Sequence, residues 1–236
     1  MSTDKIIKYV SVAILLTAFI VFSSLKIINV TRSTQAANER NGKVILIDPG
    51  HGGADPGAVS PKGTKESVLN MQVALYLKEY LLEEGFEVIM TRGDGDVPGA
   101  DTGMTNDERK RIIASAECDM VVSIHMNKFS DTSVHGAETF YYEPSVESRQ
   151  LAECIQISLK NELDSTNTRT IKGVTNLFVL KTSKAPSVLI ECGYISNPTE
   201  EAKLNTPSYQ RRIAFSVCCR ILSYYNNQNP LQSTAG

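Results

Sequence analysis

From residue 43 onward the hydrophobic positions switch between a period suited to strands and one suited to helices. Residues 43–48 (KVILID) are a nearly continuous apolar run, the pattern of a central strand covered on both faces. Leu69, Val73, Leu77 and Leu81 then recur every four residues with Ala74 beside them, which predicts a helix over 65–84 stopped by Gly85. Residues 86–91 (FEVIMT) predict a second strand. A polar, Gly-rich loop over 93–103 leads to Thr105-Asn106-Asp107-Glu108, a capping-box pattern that opens a helix to residue 117. Strands are expected at 119–124 and 137–142, a long helix at 145–163, and strands at 177–180 and 187–191. Thr206 and Pro207 supply a cap and a first-turn proline for a last helix to residue 225. This alternation implies an α/β fold: a three-layer sandwich whose mostly parallel six-stranded sheet carries helices on both faces.

The first thirty residues follow a different pattern. Residues 9–25 are seventeen consecutive uncharged positions, most of them apolar, preceded by Lys5 and Lys8. Such a run is a short membrane span or the apolar region of a secretory signal, and the flanking lysines keep its start in the cytosol while the remainder is exported. Small residues follow it, with Thr34-Gln35-Ala36 a weak cleavage pattern, so anchored and cleaved forms both stay open. The expected organisation is a membrane anchor or signal over 1–30, a linker over 31–42, a catalytic domain over 43–226 and a flexible tail over 227–236.

Composition narrows the partners. With 24 Lys and Arg against 26 Asp and Glu, the formal charge is -2, so there is no basic surplus for nucleic acid. Trp is absent and aromatics make up 7%, which disfavours a stacking platform for single strands or sugars, although 9 Tyr and 7 Phe remain. Five Cys in an exported chain invite disulfide pairing. Cys118, Cys154, Cys192, Cys218 and Cys219 instead read as small hydrophobes within the elements, so no structural disulfide is expected.

Ligands in such sheets collect at the carboxyl edge of the strands. There the chain places Asp48-Pro49-Gly50-His51-Gly52-Gly53 after the first strand, His125-Met126-Asn127 after the third, and Glu191-Cys192-Gly193 at the end of the sixth. Glu66 opens the helix that starts from the same edge. Two imidazoles and one carboxylate form a common zinc triad with an open fourth position, and the same set also suits non-haem iron. Zinc acidifies water and polarises a scissile bond, while a separate carboxylate must collect and return the proton. Position assigns His51, Glu66 and His125 as ligands and Glu191 as the acid–base group. Taken singly, each has a plainer reading: a His after a strand is usually a loop residue, and a Glu in a first helical turn complements the dipole. Glu191 is the exception, because a Glu ending an apolar strand is costly to bury without a function or partner. His135 has no strand setting and reads as a surface residue. The Gly-rich loop lacks the third glycine of a dinucleotide fingerprint, no Gly-Lys-Ser/Thr follows it, and no Gly-x-Ser-x-Gly is present.

Five blocks carry a family resemblance: residues 47–53 with Asp55-Pro56-Gly57-Ala58, Lys65-Glu66 with Asn70, Thr91-Arg92, residues 123–127, and residues 189–197. Residues 43–225 resemble the catalytic domain of the zinc-dependent N-acetylmuramoyl-L-alanine amidases of the amidase-3 family. The resemblance implies a Zn2+ cofactor held by His51, Glu66 and His125, with Glu191 as the catalytic glutamate. It implies hydrolysis of the peptidoglycan amide between the lactyl group of N-acetylmuramic acid and L-alanine. Asp48 or backbone carbonyls are the candidates to orient the ligand histidines, Asn127 is the candidate substrate contact, and Cys192 faces away from Glu191 by strand alternation.

Only ten residues, 126–135, separate His125 from Gly136, too few for the inhibitory helix of some cell-division members. A bare catalytic domain behind one membrane segment is similar to the sporulation amidases of CwlD type. That implies a role in making muramic-δ-lactam for the spore cortex, in the space between forespore membranes or in the wall. General wall hydrolysis in division or separation is the alternative. A poorly zinc-loaded wall-binding module that needs an accessory protein for recruitment or metal is the rival of another class.

Overall fold

The computed structural model describes residues 42–92 and 105–227, together with Thr17, Val21, Phe22 and Ser24. The expected export segment, the linker and the C-terminal tail otherwise lie outside the described residues. No helix among the described residues is long and apolar enough to cross a membrane. The chain divides into two units, Met1–Asn41 and Gly42–Gly236, and the description below concerns the second.

Six strands form one sheet: β1 (Val44–Pro49), β2 (Glu87–Met90), β3 (Met120–Asn127), β4 (Glu138–Tyr142), β5 (Lys172–Val174) and β6 (Ser187–Tyr194). Their spatial order is β2-β1-β3-β6-β4-β5, with every pair parallel except β4 against β6. The six-stranded, mostly parallel α/β sandwich is therefore as expected. Strand alternation sorts its apolar residues into two layers. Ile45, Ile47, Val122, Ile124, Val188, Ile190 and Cys192 pack under three long helices, α1 (Glu66–Glu83), α3 (Val146–Ser158) and α6 (Pro207–Asn227). On the other face, among the described residues, Leu46, Val121 and Leu189 pack against α2 (Asn106–Ser115) and the short α4 (Phe178–Lys181). Among the described residues the helical cover on this face is the thinner of the two.

Several boundaries differ from expectation for physical reasons. Residues 177–180 are not a strand. Phe178–Lys181 is one helical turn closed by the Thr182 N–H donating to the Phe178 carbonyl, and it buries Val179 and Leu180. A short apolar run fits either state by periodicity alone. The fifth strand is Lys172–Val174, too short and too Gly-containing to show a period, and it exists by pairing with β4. The long helix is α-helical to Ser158 and widens into a π-turn over Leu159–Leu163. A helix α5 (Pro198–Leu204) that the periodicity did not reveal starts at Asn197, whose side chain accepts from Thr199 and Glu200 N–H, with Pro198 at its first position. Strands β3 and β6 run on to Asn127 and Tyr194, so His125 and Glu191 lie within strands rather than beyond their ends.

Candidate active site

The β1 strand delivers the chain into a turn with left-handed backbone. His51 has φ 60, alone among the described non-glycine residues in being positive, and Gly52 and Gly53 follow with positive φ as well. Reciprocal backbone bonds between Gly52 and Asp55 close the turn. A non-glycine residue in the left-handed region is uncommon and costs free energy, which here places the imidazole over the sheet edge. Asp55 Oδ2 lies 2.8 Å from His51 Nδ1, and its other oxygen accepts the Gly57 N–H at 3.0 Å. Asp55 therefore fixes the ring and leaves Nε2 for a ligand.

Glu66 enters from the N-terminus of α1. Its Oε2 accepts the Ala58 N–H at 2.8 Å, and its Oε1 accepts Met126 N–H at 3.1 Å and Asn70 Nδ2 at 3.3 Å. The same Oε1 lies 2.9 Å from His125 Nδ1 and 3.3 Å from His51 Nε2. The two rings meet edge-on with centroids 5.0 Å apart. Two glycines permit this crowding: a Cβ on Gly50 would stand 2.2 Å from the His125 ring, and one on Gly57 would stand 2.6 Å from Glu66 Oε2. Arg92 ties the turn to the helix, its Nε donating to the Pro49 carbonyl at 3.1 Å and its Nη2 to the Ser67 carbonyl at 3.2 Å. Asn70 adds a bond to the Gly50 carbonyl at 3.0 Å.

His51, Glu66 and His125 thus offer three ligand atoms within 4.8 Å of one another, among them two imidazole nitrogens and one carboxylate oxygen. With Asp55 on the outer nitrogen of His51 and backbone N–H groups on Glu66, this donor set fits zinc, including the outer hydrogen bonds that such sites carry. His51 is pushed up to about 9, first by its bond to Glu66 and then by Asp55, against the opposing effect of burial. Burial works against the Glu66 carboxylate, yet the His125 and His51 bonds hold it well below the usual range.

Glu191 is the Cα partner of His125 across β3 and β6, so both project from one face. Burial pushes its carboxyl up to about 7; His125 and His51 work against that rise, while Glu66 and Glu138 add to it. Its Oε2 is buried without a hydrogen-bond partner among the described residues. A carboxyl group near neutrality beside a cluster of ligands is suited to accepting and returning one proton.

Other expectations divide. Cys192 is buried in the opposite layer as alternation requires, and all five cysteines are free. His135 is half exposed, 3.7 Å from Asp164, in keeping with a surface residue. Asp48 does not orient the histidines. It is completely buried against Arg109, Thr91 and Ser123, and Asp55 holds His51 in its place. Asn127 closes β3 two residues beyond His125, with its Oδ1 accepting the Lys128 N–H. Glu138, buried and directly opposite Glu191 on β4, was invisible in the sequence because only the antiparallel register brings it there.

A mostly parallel α/β sheet with two histidines and a carboxylate converging beside a separate carboxyl group is an arrangement of the kind that metal-dependent hydrolases use. Residues 45–223 match the amidase-3 family, described as N-acetylmuramoyl-L-alanine amidase, and the chain belongs to that family. It is 36% identical over 196 residues to the germination-specific N-acetylmuramoyl-L-alanine amidase of Bacillus subtilis, covering 80% of this chain and 82% of that protein. The amidase LytC of the same organism is 32% identical over 88% of this chain but only 40% of its own length. Among solved structures, the CwlD amidase from Clostridioides difficile in complex with the GerS lipoprotein aligns with TM-score 0.71 and 36% identity, over 79% of this chain and 100% of that one. The chain is thus a peptidoglycan amidase.

Proposed function

We propose that His51, Glu66 and His125 hold a zinc ion and that Glu191 is the acid–base group for cleaving the amide between N-acetylmuramic acid and L-alanine. The convergence of the three donor residues beside Glu191 carries this reading. When bound, zinc supplies Lewis acidity at the scissile carbonyl and acidifies water. Glu191 takes a proton from the attacking water through its unpartnered oxygen and delivers it to the departing alanine nitrogen. Asp55 and the backbone N–H groups on Glu66 keep the donors aligned without reorganisation. Asn127, at the end of β3, is the proposed contact to substrate.

The variant Glu191→Gln should retain zinc and lose amidase activity, whereas His125→Ala should lose both. Metal content by emission spectroscopy and release of peptide-free muramic acid from peptidoglycan measure the two properties. Full activity in the glutamine variant would overturn the mechanism.

The biological setting we infer is muramic-δ-lactam formation in the spore cortex. Its support is the likeness to a germination-specific amidase and to CwlD. The apolar run over residues 9–25 is the export or anchoring device in this reading, with the catalytic domain outside the cytoplasmic membrane. An accessory protein for recruitment or zinc loading is proposed by analogy with the solved CwlD complex. Spores of a deletion strain should lack muramic-δ-lactam while vegetative chains separate normally; the reverse phenotype would assign the enzyme to division.

A further inference from the structure

Beside Glu191 the sheet carries a group of charges that includes two cations to which the reaction just described gives no role. Glu138 is the Cα partner of Glu191 across the antiparallel β4–β6 pair, so the two carboxyl groups share a face with strand axes about 4.8 Å apart. Two cations approach Glu138, with Arg169 Nη1 and Lys172 Nζ each 3.6 Å from one of its oxygens. One buried carboxylate, Glu138, thus answers both cations.

Arg169 is held from three sides. Its Nε donates to the His135 carbonyl at 2.9 Å, its guanidinium carbon stands 4.7 Å from the centroid of the Tyr194 ring, and Glu138 attracts its end. Neither terminal nitrogen makes a hydrogen bond within the described residues, and the side chain is 24% exposed. Lys172, 56% exposed, reaches over the Phe140 ring from β5. A guanidinium already ordered, with free donors in a planar fork, is the arrangement that recognises a carboxylate.

The substrate carries such a group close to the scissile amide. In a stem peptide the residue after L-alanine is joined onward through its side-chain carboxyl, so its α-carboxylate is free unless amidated. It follows the scissile amide by one residue spacing, about 3.3–3.6 Å when extended, plus the carboxylate itself. We propose that Arg169 and Lys172, ordered by Glu138 and Tyr194, form an anion subsite for the free carboxylate of the stem-peptide residue that follows L-alanine. The inference rests on the amidase reading above and adds which form of the wall the enzyme prefers.

The test uses the full zinc-loaded chain and two synthetic muropeptides, identical except that this carboxylate is free in one and a carboxamide in the other. The wild type should favour the free acid by about tenfold or more in kcat/KM, expressed mainly in KM, as expected for a hydrogen-bonded charge. Arg169→Gln should bring the free-acid to carboxamide ratio of kcat/KM close to one. Lys172→Gln, on an exposed side chain, should lower the preference by a smaller factor, and Arg169→Lys should fall between wild type and Arg169→Gln. Equal wild-type turnover of both substrates, or an equal loss on both in Arg169→Gln, would overturn the subsite. If Arg169→Gln does not fold, the wild-type ratio and Lys172→Gln decide. Absence of wild-type turnover on either substrate would instead overturn the amidase reading beneath it.

Discussion

Glu191 occupies a place that favours its neutral form. Burial raises its folded pKa to about 7 from the ordinary 4.5, so the domain gains its full benefit below 4.5 and loses it as pH rises through 7. In metal-free protein, Glu191→Gln should therefore raise unfolding stability by about 2–3 kcal/mol at pH 8 and change it little at pH 4.5. Urea melts in chelator at the two pH values measure this, and an equal effect at both would mean that burial of the charge is not the cause. Asp55 acts on the site differently, because its side chain is 51% exposed and its bond to His51 Nδ1 serves orientation. Asp55→Ala should weaken zinc binding by about 10–100-fold with the melting temperature of the metal-free domain nearly unchanged. Competition with a chelator of known affinity reports the first quantity and calorimetry the second. His51, Glu66, His125 and Glu191 stood out in the sequence because strand ends and a helix start fix where each lies along the chain. Asp55 was part of the same block, but its bond depends on the left-handed turn at His51, which no periodicity encodes.

Each element's register decides which side chains meet. On β1, Asp48 projects to the same face as Ser123 of β3, and α2 brings Arg109 onto it with its Nη2 2.6 Å from Asp48 Oδ2. Burial alone would raise the Asp48 pKa, but Arg109, Ser123 and Thr91 lower it. The pair therefore contributes stability above pH 3.8, and that contribution is lost as pH falls through the depressed folded value. Arg109→Leu leaves the buried charge unanswered and should cost about 3–5 kcal/mol at pH 7. Adding Asp48→Leu should restore much of it, since an apolar pair tolerates burial; a double variant no better than the single would show that Arg109 acts mainly through packing on Phe178. The same dependence on register explains what was legible at this scale. Helices α1, α2 and α6 and strands β1, β3 and β6 declared themselves through period and caps, whereas β5 needed its partner β4 to exist and LFVL settled into a turn because Val179 and Leu180 find a core there. Asn197-Pro198 is a readable helix start in hindsight, but the apolar periodicity that would have extended it is confined to a helix of seven residues.

At the scale of the domain, the described residues cover one sheet face with three long helices and the other with α2 and α4, and the sequence could not show this unequal thickness because it depends on which helices cross to which side. Charge is equally informative. The chain carries -2 in formal charge, so the long-range field that draws a basic protein to an anionic wall is weak. Local cations such as Arg169 and Lys172 act only after contact, within a screening length of about 8 Å at physiological salt. Association with purified peptidoglycan should then vary by less than about twofold as salt rises from roughly 0.05 to 0.5 M, while hydrolysis of short muropeptides bearing the free carboxylate should weaken modestly through KM. Cosedimentation across a salt series, run beside steady-state kinetics on the soluble substrate, separates the two effects. A steep loss of sedimentation with salt would mean that a concentrated basic surface, rather than tethering by the N-terminal segment or an accessory protein, delivers the enzyme to its substrate.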